Sequence, residues 1–197
     1  MSIRYKVYQN VFPYHVYNRS NNKEQVFNLD VAFPIFMHIL RETAKTHNII
    51  PHHFVLMKNH YHLMLSTPLN NLQKFMCAFQ TQTSRSINVS MKRINHIFGN
   101  RYGATVIKTD VYISRLIKYI YQNPVKAKIV NDPTKYPFSS LQLYLNKCAK
   151  KNRFTWDPYL NGVTPKNRIN TLLDLSKIDL DKVEYELVGK SMRSRYI

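Results

Sequence analysis

Two apolar runs separated by a short polar break set the strongest constraint on how this chain folds. The first run is HFVLM, residues 53–57, and the second is HYHLMLS, residues 60–66, with Lys58-Asn59 between them. Short runs of this kind around a polar break are typical of two antiparallel strands joined by a turn. The sequence therefore predicts a β-hairpin, or a single bent strand, over this stretch.

Helical spacing of apolar residues marks further segments of the chain. Three are predicted, from Asp30 to His47, from Leu69 to Ile87, and from about Val111 to Gln122. We expect Asp30 and Asp110 to cap the first and third of these helices. We expect Asn123-Pro124 to end the third, because proline disfavours helical geometry in the residue before it.

The remaining patterns complete an α+β prediction. Residues Val11 to Asn18 are rich in β-branched and aromatic residues and predict a strand, and the basic stretch Arg93–Thr105 predicts a loop with some strand. An antiparallel sheet with helices packed on it accounts for this order of elements. Composition changes near residue 150, so we divide the chain into a domain over 1–150 and a C-terminal extension over 151–197, which has a helical stretch around Leu172–Leu187.

The charge of the chain indicates a polyanionic partner. It has 29 Lys and Arg against 11 Asp and Glu, a formal charge of +18, and only five of the acidic residues lie in residues 1–150. Such a surface attracts nucleic acid and argues against cationic substrates. So few carboxylates also argue against a two-metal nuclease or polymerase site, which needs several of them close together.

Several function classes lack support in the sequence. Cys77 and Cys148 are far apart and form no CxxC, so we expect neither a zinc site nor a disulfide. There is no apolar run long enough for a membrane span and no signal-peptide pattern, and we expect a cytoplasmic protein. Phosphate-binding, dinucleotide-binding, zincin and hydrolase motifs (GxxxxGK[ST], GxGxxG, HExxH, GxSxG) do not occur.

The pair His60 and His62 is a candidate metal-binding element. Alternate residues of a strand share a face, so both imidazoles point to the same side and Tyr61 to the other. Two neighbouring imidazoles can bind one divalent ion. The alternative interpretation is two half-exposed histidines on a sheet, and the spacing alone does not decide between them.

The helix predicted after Asp110 carries a second candidate pair. Tyr119 and Asn123 are four residues apart and therefore neighbours on the helix surface, whereas Tyr121 lies about 160° around the helix from Tyr119. A tyrosine beside an amide can be a nucleophile next to a metal ligand. The alternative is an amphipathic helix whose tyrosines lie at the edge of the core.

Aromatic and basic residues are mixed along the chain. Its 14 Tyr and 10 Phe can stack on unpaired bases while Lys and Arg contact phosphates, a combination that suits single-stranded nucleic acid. The candidate contacts are Arg19, Lys58, Arg85, Lys92, Arg93, Arg101, Lys108, Arg115 and Lys118.

These motifs, in this order, resemble the single-tyrosine HUH transposases of insertion sequences, especially the REP-associated tyrosine transposase branch. The resemblance covers residues 12–141 and rests on Tyr14-His15-Val16 with Arg19, VLMKNHYHL (55–63), FGNRY (98–102), KYIYQNPVKA (118–127) and YPFSS (136–140). The sequence departs from the family where Lys58 replaces a frequent proline and Lys128 a frequent glycine. The extension after residue 150 matches nothing in the pattern.

The resemblance implies an HUH, ferredoxin-like α+β domain that cleaves single-stranded DNA or DNA hairpins. It implies that His60, His62 and Asn123 bind Mg²⁺ or Mn²⁺ and that Tyr119 is the nucleophile. Attack on the DNA would give a 5′-phosphotyrosine and a free 3′-OH, and the covalent bond would allow strand transfer without ATP.

Two other functions stay open at this point. One is a nucleic-acid-binding module without turnover, and the other is a metal-dependent hydrolase that uses the histidine pair without Tyr119. A 2H phosphoesterase is disfavoured because no second HxT/S or HxH motif occurs. We expect a monomer or a homodimer, and the length and the YPFSS segment favour the monomeric, REP-associated type.

Overall fold

The computed structural model describes residues 12–145 together with Asp174 and Ser176. Residues 12–145 form four strands and four α-helices, with single 3₁₀ turns at Asn21–Lys23 and Pro133–Lys135. In chain order they are β1 (Tyr14–Arg19), α1 (Leu29–Thr46), β2 (Ile50–Leu56), β3 (His60–Ser66), α2 (Leu72–Ser90), β4 (Gly103–Val106), α3 (Asp110–Lys126) and α4 (Ser140–Leu145).

The strands form one antiparallel sheet in the order β2-β3-β1-β4. The hairpin predicted from the two apolar runs is β2 and β3, with the Lys58-Asn59 break at the turn. Strand β1 lies beside β3 and pairs Tyr17 with His62 and Arg19 with His60. The predicted α+β fold with an antiparallel sheet is confirmed.

The two faces of the sheet are covered differently. Helices α1 and α2 pack on the face that carries Tyr61, where Phe36 and Phe79 contact its ring at centroid distances of 5.7 and 5.9 Å. Helix α3 packs on the opposite face, against β2 and β3. Burial of apolar and aromatic side chains on the first face forms the bulk of the core.

Helix α3 departs from the prediction at both ends. Thr109, not Asp110, is its N-cap, and the Thr109 hydroxyl accepts a hydrogen bond from the Tyr112 backbone N–H. The helix does not end at Asn123-Pro124 but continues to Lys126. Pro124 is buried, and the backbone N–H of Ile129 still bonds to its carbonyl, so packing and these late hydrogen bonds outweigh the local cost of the proline.

Other boundaries shift by smaller amounts. Helix α1 is preceded by Asn28 as its N-cap position, and Asp30 lies in its first turn, where a carboxylate still suits the helix dipole. Of the basic stretch Arg93–Thr105, only the last three residues are strand, at the start of β4 (Gly103–Val106). The predicted start of β1 at Val11 and most of the predicted late helix fall outside the described residues.

The extension meets the domain at one described point. The Gln122 side chain on α3 donates a hydrogen bond to the backbone carbonyl of Ser176, which is helical and fully buried. The division at residue 150 falls outside the described residues and stays a prediction. Among the described helices, none is long and apolar enough to cross a membrane.

Candidate active site

His60 and His62 lie side by side on the face of the sheet that α3 covers in part. Their ring centroids are 5.3 Å apart, and Tyr61 between them points into the core on the other face. The paired strand β1 places Tyr17 opposite His62 and Arg19 opposite His60. The alternation predicted from the sequence is therefore present, on an interior strand that holds both rings rigidly.

Asn59 fixes the orientation of His60. The Asn59 side-chain NH₂ donates to the carbonyl of Lys23, so its oxygen is the atom that faces His60 Nδ1, at 2.6 Å. An amide oxygen can only accept, so Nδ1 carries the proton and Nε2 keeps a lone pair. This hydrogen bond is the kind that orients a metal-binding histidine.

His15 on β1 makes the matching contact with His62. His15 Nε2 lies 3.0 Å from His62 Nδ1, and both rings are buried. For His62 to present a lone pair at Nε2, its proton must sit on Nδ1 and be donated to His15. His15 then carries its own proton on Nδ1, an atom with no hydrogen-bond partner in the described structure.

Helix α3 brings Tyr119 and Asn123 to this pair. The Tyr119 ring lies edge-on to His62 with centroids 5.1 Å apart. The Asn123 NH₂ donates to the Tyr119 carbonyl at 2.8 Å, and the Asn123 side chain lies beside His60, where it can accept a hydrogen bond from that ring only when the ring is protonated. Because the NH₂ is used on the helix, the amide oxygen is the group that faces the histidines.

Tyr121 points away from this site. Its hydroxyl lies 2.7 Å from His53 Nδ1 and 3.1 Å from the Ser140 hydroxyl. All three residues are buried. The helical argument that separated Tyr119 from Tyr121 therefore agrees with the structure, which brings only Tyr119 to His62.

Burial keeps the histidines neutral at physiological pH. Desolvation, with repulsion from Arg19, lowers the pKa of His60 to about 4, although the hydrogen bond with Asn123 raises it slightly. Desolvation alone lowers the pKa of His15 to about 3. Desolvation and the neighbouring His15, His60 and Arg19 hold the pKa of His62 well below its ordinary value. Neutral imidazole is the form that binds metals.

The residues fit a divalent ion with open coordination positions. Two neutral imidazoles with Nε2 available and one amide oxygen make three donors, and none of them is anionic. Within the described part of the chain, no group of three His, Cys, Asp or Glu could hold a metal, so any metal site here needs the amide. Mixed nitrogen and oxygen donors of this kind can bind a divalent cation and leave positions vacant for a further ligand.

The sequence matches the family described as "Transposase IS200 like" over residues 8–123, more than half of the chain. This chain belongs to the IS200-like transposase family.

One solved structure shows the same fold, and another is reported with it as a similar chain. The structure of a REP-associated tyrosine transposase bound to a REP hairpin is similar to this chain at a TM-score of 0.60, with 16% identity, covering 82% of this chain and 92% of the other. A crystal structure of a candidate transposase from Deinococcus radiodurans matches at a TM-score of 0.45 with 20% identity, covering 61% and 95%. The curated proteins include no match.

The predicted DNA contacts of this transposase-family chain lie on several different elements of the fold. Arg19 lies beside the histidine pair, close enough to lower both of their pKa values. Arg93 instead pairs with Glu24 at 3.0 Å, which reduces the charge it can offer to a phosphate. Lys58 lies at the hairpin turn, Arg85 on α2 and Lys92 in the loop after it. Arg101 lies just before β4 and Lys108 before α3, and α3 itself carries Arg115 and Lys118.

Two site residues, His15 and Asn59, were not predicted as such. Both belong to segments that carried the family resemblance, Tyr14-His15-Val16 and KNHYH, but neither has a spacing that singles it out. The pairing of β1 with β3 in antiparallel register places His15 on the face of His62. Only a prediction of strand pairing could have found that contact.

Proposed function

We propose that this chain cleaves single-stranded DNA and rejoins strands through a covalent bond to Tyr119. The observation that carries the proposal is the contact of Tyr119 with His62, 5.1 Å between ring centroids, on a helix whose Asn123 side chain lies beside His60. A nucleophile, two neutral imidazoles and an amide oxygen thus meet within one chain. This completeness favours a monomer as the working unit.

The protein groups would act on one phosphodiester. His60 Nε2, His62 Nε2 and the Asn123 oxygen would hold Mg²⁺ or Mn²⁺, which supplies Lewis-acid polarisation of the scissile phosphate. The Arg19 guanidinium, beside the histidines, would neutralise the adjoining backbone charge.

The chemical step belongs to Tyr119. Its phenol oxygen attacks phosphorus as the phenol proton leaves, a Tyr–O–P bond forms, and the bond from phosphorus to the 3′-oxygen breaks. The 3′-oxygen takes up a proton, so the products are a 5′-phosphotyrosine and a free 3′-OH. A second 3′-OH can attack the phosphotyrosine in the reverse sense, which joins strands with no external energy source.

The substrate we propose is a DNA hairpin with single-stranded flanks. The excess positive charge of the chain supports a polyanion, and the solved REP-associated transposase of similar fold is bound to a REP hairpin. Tyr119 is 5% exposed, so a phosphate has to enter the site to reach it, which we expect of an unpaired strand more readily than of a duplex.

The test uses hairpin oligonucleotides from the repeats that flank the gene, labelled at the 5′ or 3′ end and incubated with Mg²⁺, Mn²⁺ or EDTA. We expect a metal-dependent, protease-sensitive band on a denaturing gel that Tyr119→Phe does not form. Cleavage without an adduct would instead support the hydrolase. Binding to every hairpin with neither adduct nor cleavage would support a binding module.

A further inference from the structure

A groove lined by both polar and apolar groups lies at the edge of the sheet, next to Tyr17 of the strand that pairs with the histidine strand. Its volume is about 890 Å³, and it runs between α2 and the segment that leads into β4. That size is within the range of pockets that hold ligands of nucleotide size. The groove contains part of the FGNRY segment, residues 98–102, for which the mechanism above has no role.

The β4 side of the groove is rigidly built. Ser20 bridges to Phe98, the Asn21 N–H bonds to the Ile97 carbonyl at 2.8 Å, and the Asn18 amide donates to the Asn100 carbonyl at 3.1 Å. A wall already fixed by three such contacts loses little conformational freedom when a ligand binds.

Gly103 adds a steric reason for the shape of this wall. A Cβ atom at Gly103 would lie 2.1 Å from the Tyr17 ring, so the absence of a side chain lets the ring lie against the β4 backbone. Tyr17 therefore lines the groove on one side while its ring lies 6.0 Å, centroid to centroid, from that of His62. The groove and the histidine site are contiguous through this one tyrosine.

The chemistry of the lining suits an unpaired nucleobase. Gln73 and Gln80 on α2 offer amides, and the Gln80 NH₂ donates to Tyr61, which leaves its oxygen as an acceptor toward the groove. Amide side chains pair with base edges. The rings of Tyr17 and Tyr102 can stack on bases, and Arg101 is available for a phosphate. No acidic residue occurs among the described residues that line the groove.

We propose that this groove binds one unpaired base of the DNA strand next to the scissile phosphate, and that it thereby selects which phosphodiester reaches Tyr119. This inference rests on the proposed function and deepens it. A strand whose phosphate lies at His60 and His62 passes Tyr17 on its way out, and Tyr17 leads directly into the groove. The occupant is part of the bound strand, not a free nucleotide.

Cys77 provides a probe inside the groove. It is exposed and lines the α2 side. The experiment uses the full chain with Cys148→Ser and Tyr119→Phe, so that one thiol reacts and the DNA stays intact. The rate of Cys77 alkylation by a maleimide dye is measured with a flanked hairpin, with the same hairpin lacking flanks, and with a free deoxynucleoside monophosphate. We expect protection by the flanked hairpin alone.

A matched pair of variants tests the same inference by affinity. Thr81 is exposed and lines the groove, whereas its neighbour Gln82 is exposed outside it. We expect Thr81→Trp to fill the groove and weaken binding of the flanked hairpin about 5- to 150-fold, the range that loss of one stacked base gives. Gln82→Trp should bind as the parent chain does, and neither variant should change binding of the hairpin without flanks.

The outcomes separate this inference from the proposed function. If the unmodified chain forms the Tyr119 adduct but Cys77 stays equally reactive with flanked DNA, the groove inference is wrong and the strand transferase stands. Equal protection by the hairpin without flanks would also overturn it. Protection by the free nucleotide would mean a nucleotide site instead, and absence of both DNA binding and adduct would overturn both.

Discussion

Two clusters of histidine and tyrosine lie on opposite sides of α3, and their differences show how one helix combines anchoring with chemistry. The Tyr121 cluster consists of His53, Tyr121 and Ser140, whose polar atoms bond to one another. The Tyr119 cluster consists of His15, His60, His62, Tyr119 and Asn123, whose hydrogen bonds leave two imidazole Nε2 atoms for a ligand. The Tyr121 cluster stabilises the fold because its buried polar atoms are hydrogen-bonded to one another. The Tyr119 cluster keeps buried imidazole nitrogens available for a ligand, which lowers the stability of the folded protein.

The largest expected difference between the clusters lies in their hydroxyl groups. Tyr119→Phe should reduce adduct formation by about 10⁴-fold or more, since it removes the nucleophile. Tyr121→Phe should still form the adduct but unfold about 1 kcal/mol more easily, because its bonds to His53 and Ser140 are lost. Adduct assays and urea denaturation of both variants check this. An adduct in Tyr119→Phe would assign the nucleophile elsewhere.

A second contrast concerns His15 and His53, two buried histidines that are not among the proposed metal ligands. His15→Leu should weaken Mn²⁺ binding about 10- to 100-fold, because His62 loses the partner that holds its Nδ1 proton. Its stability should fall by about 1 kcal/mol or less, because the cost of leaving buried His62 Nδ1 without a partner is partly offset by the removal of His15 Nδ1, which has none. His53→Leu should lower stability by about 1 kcal/mol and leave Mn²⁺ binding unchanged. Calorimetric titration with Mn²⁺ and urea denaturation provide both readouts, and equal losses of affinity in the two variants would contradict the assignment.

Acid should weaken the Tyr119 cluster through His15. The unfolded chain takes up a proton on this residue below about pH 6.5, but the folded protein does so only near pH 3, because burial lowers the pKa of His15 to about 3. The unfolded state therefore binds more protons in this window, and stability falls as pH falls from about 6.5 to about 3. Relative to neutral pH, protonation of His15 in the unfolded chain should lower the free energy of unfolding by about 2 kcal/mol at about pH 5. His15→Leu should lose correspondingly less stability than the parent chain when urea denaturation is compared at about pH 7.5 and about pH 5, and an unchanged slope would exclude this cause.

The smallest expected effect acts on both clusters alike. Thr109→Ala removes the N-cap of α3, the helix that carries both tyrosines, and should cost about 1 kcal/mol of stability. Because the cap lies nearly three turns before Tyr119, Mn²⁺ affinity and adduct yield should keep their parental values at temperatures well below the unfolding midpoint. Thermal unfolding and the adduct assay measure the two quantities, and a selective loss of adduct would mean that the cap also sets the position of Tyr119.

The parts of the fold that follow from local pattern were predictable from the sequence. The β2-β3 hairpin, the opposite directions of His60 and Tyr61, and the shared side of Tyr119 and Asn123 all depend on periods of about 2 and 3.6 residues. The end of α3 was not predictable in this way. The rule for residues before proline predicted a stop at Asn123, and burial of Pro124 in the last turn outweighs that local preference.

Contacts between distant segments could not be predicted from the sequence for a different reason. His15 and His62 meet because β1 pairs with β3 in one register, and no local pattern in either strand specifies that register. The ion pair of Arg93 with Glu24 likewise depends on how the loop after α2 lies against the chain near the first 3₁₀ turn. The family resemblance supplied roles for the motif residues, but it did not supply these partners.

The hydrogen bond from Gln122 to Ser176 bears on how the chain can be shortened. Gln122 is 3% exposed and lies about one turn of α3 beyond Tyr119, and its NH₂ is satisfied by a carbonyl of the last quarter of the chain. Deletion of that quarter would strip a buried amide of its acceptor next to the turn that carries the nucleophile. A frameshift or nonsense change late in the gene would therefore disturb the turn of α3 that carries Tyr119, although every motif residue upstream remained intact.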